Sequence, residues 1–140
     1  MERIGGDVET REIVVTQDDM DRLRRLIEAR RVYARDLPHL QDLEEELERA
    51  TVLPTQRIPK DVVTMHSRVR VQDLRTGESL EYEIVFPREA SFSENKISIL
   101  APIATALLGY RAGAVVEWVV PGGRRKLRIE AVESPCAAAA

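Results

Sequence analysis

The stretch of sequence that decides the fold is KISILAPIATALLGYRAGAVVEWVVPGGRRKLRIEAV, residues 96–132. It begins with a short β run, Lys96–Leu100, which is soon followed by Pro102. Because proline has a fixed φ and no N–H group, Pro102 suits the first turn of a helix, here expected to extend to Leu108. Gly109 can end that helix at low cost in the left-handed conformation. The first half of the stretch therefore predicts a strand followed by a short apolar helix.

The second half of the same stretch predicts a β-hairpin. After a turn at residues 111–113, the runs Val115–Val120 and Lys126–Val132 flank a Pro-Gly-Gly sequence at 121–123. Glycine accepts the backbone angles that tight turns require, so the two runs are expected to pair as antiparallel strands.

A second hairpin is predicted upstream. Apolar and polar residues alternate within Val62–Leu74 and again within Ser79–Phe86, and a turn sequence at 75–78 separates the two runs. A period of two is typical of strands that bury one face and expose the other. Residues 87–95 are expected to form a loop.

Two helices are predicted near the N-terminus. Residues 16–19 have the pattern of a capping box, with Asp19 in the position usually taken by Glu. The first helix is expected to extend to about Tyr33, and the second to span about Leu37–Thr51. The second helix spaces its apolar residues 3, 4 and 3 apart, which is typical of a seam against one partner helix; these residues are Leu40, Leu43, Leu47 and Ala50.

The two predicted helices carry opposite charges. The first is rich in arginine, and the second carries Asp42, Glu44, Glu45, Glu46 and Glu48. A short connection would make the helices antiparallel, and the acidic residues are expected to form a solvated face of the pair. Each exposed ion pair contributes only about 0.3–0.5 kcal/mol, whereas each buried leucine contributes about 1.5–3 kcal/mol. Leucine burial is therefore expected to hold the pair together.

Composition limits the classes of function. The chain has 140 residues and a net charge of −3, which argues against broad affinity for nucleic acid. Residues 1–50 carry 9 basic and 14 acidic residues, and the remainder carries 12 basic and 10 acidic residues, which suggests two modules with different surfaces. With one cysteine, Cys136, and two histidines, neither an intrachain disulfide nor a zinc finger is expected. No apolar run is long enough for a membrane span, so we expect a cytoplasmic protein.

Residues 96–132 resemble the C-terminal domain of the Gre transcript-cleavage factors of bacterial RNA polymerase. Residues 59–71 extend the likeness, and together with the short helical hairpin they resemble the Rnk subfamily, called regulator of nucleoside diphosphate kinase. Ala101 and Ala114 depart from the pattern, since Gre factors usually carry Ser and Asp at these positions. The agreement lies in Ile97, Ser98, Pro102, Ile103, Ala104, Ala106, Leu107, Leu108, Gly109, Gly113, Pro121, Gly122, Gly123 and Ile129.

The resemblance implies an α+β fold. It consists of a short N-terminal antiparallel helical hairpin, a coiled coil, and a C-terminal FKBP-like antiparallel β-sheet with one short helix. The expected organisation is an extended lead-in at 1–15, the hairpin at 16–52, a linker at 53–58, the Gre-type domain at 59–133 and a tail at 134–140.

The resemblance also implies a function. Gre factors dock on RNA polymerase at the entrance of the secondary channel, and the matching residues here are Pro102, Ile103, Ala104 and Thr105. The protein is therefore expected to bind polymerase there and to compete with Gre factors. Sequence-specific binding of nucleic acid is not expected.

The hairpin tip, with Arg35 and Asp36, argues against cleavage activity. In Gre factors, acidic residues at the tip of a hairpin roughly twice as long help to hold a second Mg²⁺ for transcript hydrolysis. One carboxylate beside a guanidinium is a poor Mg²⁺ site, and a helix of about 15 residues rises only about 22 Å. We therefore expect Asp36 to act as a helix N-cap. No enzymatic activity, metal or cofactor is expected.

Two alternatives stay open on the sequence. The FKBP-like fold allows a prolyl isomerase, although fold likeness alone does not supply that activity. A generic adaptor that binds another protein through its coiled coil is the other alternative. His39, His66 and Cys136 are isolated in the sequence, and the basic residues at 124–128 are expected to form an ordinary charged strand face. The aromatic residues Tyr82, Phe86, Phe92, Tyr110 and Trp118 are expected to pack the sheet.

Overall fold

The computed structural model of the protein describes residues 13–33, 37–120 and 122–135. Two helices come first, a sheet of five strands follows, and one short helix lies between two of those strands, so the predicted α+β class is confirmed. In chain order the elements are β1 (Val14–Thr16), α1 (Gln17–Arg30), α2 (Leu37–Glu48), β2 (Thr51–Leu53), β3 (Arg68–Asp73), β4 (Ser79–Val85), β5 (Lys96–Ser98), α3 (Pro102–Leu107), β6 (Val115–Val120) and β7 (Gly123–Glu133).

The large sheet has the strand order β5-β4-β3-β7-β6. Both predicted hairpins, β3–β4 and β6–β7, pair antiparallel. The expectation of a fully antiparallel sheet is wrong at one edge, because β5 pairs parallel to β4. The loop at 86–95 returns the chain so that Lys96 lies opposite Glu83, near the end of β4, and the chain then continues in the same direction. The FKBP-like character of the sheet stays a prediction.

A small parallel pair of strands joins the two ends of the helical hairpin. β1 directly precedes α1, β2 follows α2, and Val14 lies opposite Thr51 in their register. The backbone N–H of Val14 also donates to the carbonyl of Gly109, at 3.0 Å, just after α3. β1 therefore lies at the junction of the expected lead-in and hairpin, and β2 lies at the junction of the expected hairpin and linker. Three residues per strand are too few for the alternation that would reveal them in the sequence.

Both N-terminal helices are about three residues shorter than the sequence suggested. α1 ends at Arg30 rather than Tyr33, and α2 ends at Glu48 rather than Thr51. The side chain of Tyr33 is 50% exposed and lies outside the hydrophobic core, so core packing does not extend α1 to that residue. Thr51 is extended because it pairs with β1.

The strand expected at Val62–Leu74 begins only at Arg68. A tight turn precedes it, in which the backbone N–H of Thr64 donates to the hydroxyl of Ser67 at 2.8 Å. The turn places His66 in the left-handed region, with φ of 68°. The run of β-branched residues before Arg68 therefore buries its side chains without forming a strand of the sheet.

One hydrophobic core extends across the helices and the sheet. Leu40, Leu43 and Leu47 of α2 belong to the same buried cluster as Leu107 and Ile129. The leucine seam of α2 therefore does not serve one partner helix alone, because α2 contacts both α1 and α3. Residues before and after the segment 53–58 belong to this one core. The division of the chain into two domains at that segment stays a prediction.

The aromatic residues differ in their environments. Phe86 and Tyr110 are buried and Tyr82 is partly buried, as expected for side chains that pack the sheet. The expectation is wrong for Phe92, whose side chain is 99% exposed in the turn Phe92–Glu94. The side chain of Trp118 lies outside the described part of the structure.

Candidate docking surface

One side of the short helix α3 packs into the hydrophobic core. Ala101 is its N-cap with an extended backbone and no capping side chain, and Pro102 occupies the first turn, as predicted. The hydroxyl of Thr105 donates to the carbonyl of Ile99 at 2.7 Å, which fastens the helix to the end of β5. Gly109 follows with φ of +86°, the left-handed conformation expected for a helix stop.

The four residues predicted to form the docking surface have different exposures. Pro102 is exposed and Ile103 is half-buried. Ala104 is completely buried and Thr105 is 6% exposed, so these two side chains offer little surface to a partner, and the docking role of the four residues stays a prediction. A helix of six residues presents only a narrow face to solvent, and its remaining positions fill the core. Pro102 and Ile103 are the members of the set that are available to a partner.

A groove lies next to Pro102, between α2 and α3, and we call it the acidic groove. It encloses about 510 Å³ and brings together α2, α3, β6 and Tyr110, which lies three residues after the end of α3. Its lining residues are Pro38, His39, Asp42, Glu45, Glu46, Pro102, Thr105, Ala106, Tyr110, Val116 and Glu117. The acidic residues of α2 were expected to form a solvated face of the helix pair, with an acidic contact surface as the alternative. Three of them, Asp42, Glu45 and Glu46, line one side of this groove.

Glu46 is a half-buried carboxylate of the acidic groove, with its side chain 27% exposed. Burial raises its pKa, and the negative charges of Glu45 and Asp42 add to the rise, whereas Arg49 opposes it. The guanidinium of Arg49 donates to Glu46 at 2.7 Å and to the hydroxyl of Tyr110 at 2.9 Å. Arg49 thereby links the end of α2 to Tyr110, another residue that lines the groove.

The structure also assembles a cluster that the sequence did not indicate. His66 lies 2.9 Å from a carboxylate oxygen of Glu89, and its ring contacts that of Phe86. The guanidinium of Arg22 lies 4.4 Å from the centre of the Phe86 ring. His66 had been interpreted as isolated, because its neighbours come from α1 and from the turn after β4.

Two of the basic residues at 124–128 form ion pairs within the molecule. Arg125 donates to the carboxylate of Asp73, and Arg124 lies 3.6 Å from Glu117. The interpretation as a charged strand face therefore agrees with these contacts. The predicted tip residues Arg35 and Asp36 lie outside the described residues, so the N-cap assignment of Asp36 stays a prediction.

The described residues offer neither a metal site nor a membrane span. Within 13–33, 37–120 and 122–135, no cluster of three or more His, Cys, Asp or Glu side chains is arranged to hold a metal ion. Over the same ranges, every helix is too short or too polar to cross a membrane.

Two protein families match the chain in consecutive segments. The family described as "Transcription elongation factor, GreA/GreB, C-term" matches residues 58–134, and the one described as "Rnk N-terminus" matches residues 11–53. The segments meet between β2 and the turn before β3. The segment at 58–134 includes α3. The segment at 11–53 provides Asp42, Glu45 and Glu46, the acidic residues of α2 that line the groove.

Individual proteins agree with this assignment. The regulator of nucleoside diphosphate kinase of Escherichia coli strain K12 is 38% identical over 111 residues, which are 79% of this chain and 80% of that protein. Transcription elongation factor GreA of Clostridium botulinum strain Eklund 17B is 44% identical over 62% of this chain, which spans about half (54%) of that factor. A solved structure, the prokaryotic transcription elongation factor GreA/GreB from Nitrosomonas europaea, superposes with a TM-score of 0.74 at 40% identity and covers 88% of this chain and 100% of its own. The chain therefore belongs to the Rnk subfamily of the GreA/GreB transcription elongation factor family.

Proposed function

We propose that this protein is a cytoplasmic transcription regulator that binds bacterial RNA polymerase near the entrance of the secondary channel. Pro102 and Ile103 form the contact, and the protein competes with Gre factors for the same place. It acts by occupying that place and has no chemistry of its own.

The observation that carries the proposal is that Pro102 is exposed on a helix whose other side is anchored in the core. It is exposed at the first turn of α3, while Ala104 and Leu107 of the same helix are completely buried. A docking residue on a helix fixed in this way loses little conformational freedom on binding, which favours affinity.

The dimensions of the helical hairpin support binding without transcript cleavage. α1 has 14 residues, which corresponds to about 21 Å. α2 has 12 residues, which corresponds to about 18 Å. The connection between Arg30 and Leu37 contains one carboxylate in its sequence, that of Asp36. A short hairpin with one acidic residue at its tip suits occupation of the channel entrance better than metal binding at the catalytic centre.

Direct binding of the full chain to core RNA polymerase, with and without excess Gre factor, tests the proposal. Binding that Gre factor displaces is the expected result. Pro102→Glu should weaken binding at least tenfold, because glutamate is tolerated in a first helical turn but places a charge in the contact. The matched control is Leu80→Glu, at an exposed position of β4, which should bind as the wild type does.

Stalled elongation complexes test the second part of the proposal. The purified protein should release no 3′ fragment from the transcript, whereas Gre factor added to the same complexes releases one. Absence of polymerase binding at micromolar concentration would refute the docking proposal, and fragment release would refute the purely steric mechanism.

A further inference from the structure

The acidic groove has more negative charge than its neighbours neutralise. Glu46 is paired with Arg49, and Glu117 lies 3.6 Å from Arg124. Among the residues that the structure describes, Asp42 and Glu45 have no ion-pair partner, and both side chains are exposed at the groove wall. Among the described residues that line the groove, none is a lysine or an arginine. The groove therefore keeps a local excess of carboxylates.

The same groove also has apolar lining residues, which we call its apolar floor: Ala106, Val116, Pro102 and the ring of Tyr110. A groove lined by both carboxylates and apolar groups matches a segment in which one apolar side chain is flanked by positive charges. The charges steer association, and the apolar side chain provides buried area.

We infer that the acidic groove is a second part of the docking surface and receives a basic segment of RNA polymerase, in which Lys or Arg side chains flank one apolar side chain. This inference rests on the proposed function. The groove is continuous with Pro102, so one segment of the partner can contact both. Nucleic acid is disfavoured as the occupant, because its phosphates would face Asp42, Glu45, Glu46 and Glu117.

The test uses the full chain and core RNA polymerase, with affinity measured at several salt concentrations. The groove variant is Asp42→Lys/Glu45→Lys, which reverses the two unpaired charges. The control is Asp21→Lys/Glu48→Lys, which changes the net charge equally at exposed positions outside the groove. At low salt the groove variant should bind at least tenfold more weakly than the wild type, and the control should remain within about threefold. The difference should shrink as salt rises, because exposed charges are screened.

A third variant tests the apolar floor. Ala106→Phe should fill the groove and weaken binding, and its thermal unfolding should match that of the wild type, since Ala106 is only partly buried. If the groove variant and the charge-matched control bind equally, the inference is wrong, although the proposed function stands as long as Pro102→Glu weakens binding. If the wild type does not bind polymerase at all, the proposed function itself fails.

Discussion

The carboxylate of Asp19, in the first turn of α1, accepts a hydrogen bond of 3.0 Å from the backbone N–H of Met65. Both residues are buried, and 46 positions separate them along the chain. The sequence suggested that Asp19 would complete a capping box by bonding back to its own helix. One half of that box is present, since the hydroxyl of Thr16 accepts from the N–H of Asp19 at 3.0 Å. The side chain of Asp19 also fastens the helical hairpin to the turn before β3.

Replacement of Asp19 should therefore loosen the helical hairpin from the sheet. Asp19→Ala leaves the buried N–H of Met65 without an acceptor, which should lower the free energy of unfolding by about 1–3 kcal/mol. Asp19→Asn keeps an acceptor oxygen and should lower the free energy of unfolding by less. Asp21→Ala, at an exposed position of the same helix, is the control and should stay within about 0.5 kcal/mol. Urea unfolding monitored by circular dichroism measures all three, and equal stability of the two alanine variants would contradict the role of Asp19.

The pH dependence of stability should have opposite signs at two aspartates. Burial raises the pKa of Asp19, so the folded state favours its protonated form, and wild-type stability relative to Asp19→Asn should decline as pH rises from the ordinary carboxyl range through the folded pKa. The hydrogen bond from Arg125 lowers the pKa of Asp73, so its stabilisation is present above the ordinary value and is lost as pH falls through the folded pKa. Unfolding of wild type, Asp19→Asn and Asp73→Asn between pH 3 and pH 7 measures both trends. The same sign at both residues would contradict the assignments.

Gly109 should tolerate no side chain. A Cβ atom there would lie 2.8 Å from the Cβ of Ile13 and 3.2 Å from the backbone nitrogen of Val14, at a φ of +86°. Gly109→Ala should therefore lower the free energy of unfolding by about 2–3 kcal/mol, from strain and the clash with β1 together. Gly113→Ala is the matched control, because its φ is +94° but no atom lies within 4 Å of the added Cβ. Gly113→Ala should lower the free energy of unfolding only through backbone strain, by about 1 kcal/mol. An equal decrease at both glycines would show that the contact with β1 is unimportant.

Two phenylalanines near each other in sequence should respond differently to truncation. Phe86 is buried under Arg22 and beside His66, so Phe86→Ala should destabilise the protein by about 3–5 kcal/mol. Phe92 is 99% exposed, and Phe92→Ala should leave stability within about 0.5 kcal/mol. Thermal unfolding separates the two cases, and a loss of several degrees in Phe92→Ala would contradict the exposed position of that side chain.

The alternatives raised by the sequence are best tested with point variants. Removal of residues 16–52, the direct test of a coiled-coil adaptor, would also remove Leu23, Leu40, Leu43 and Leu47 from a core that they share with the sheet. Any loss of binding could then reflect unfolding. Exposed substitutions such as Pro102→Glu avoid this ambiguity because they leave the core intact.

Local pattern was sufficient for most of the elements. Pro102 begins α3 and Gly109 follows its end, since φ restrictions act within one or two residues and can be read directly. The alternation around Val69 and Ile84 indicated the β3–β4 hairpin, because side chains of a strand alternate between its faces. The spacing of Leu40, Leu43 and Leu47 likewise indicated the buried face of α2.

These local patterns could not predict contacts between segments that are distant in the chain. The parallel pairing of β1 with β2, the hydrogen bond from Met65 to Asp19 and the burial of Ala104 and Thr105 all depend on which elements meet in space. The acidic groove has the same origin, since Asp42 and Glu117 lie on different elements 75 positions apart and one groove brings them together. The sequence by itself therefore determined most of the elements, the fold class and the resemblance to Gre factors, because these follow from residue type and short-range spacing. Only the tertiary structure decided which side chains near α3 are exposed and which charges surround them, because burial and electrostatic environment are set by packing between segments that are remote in the chain.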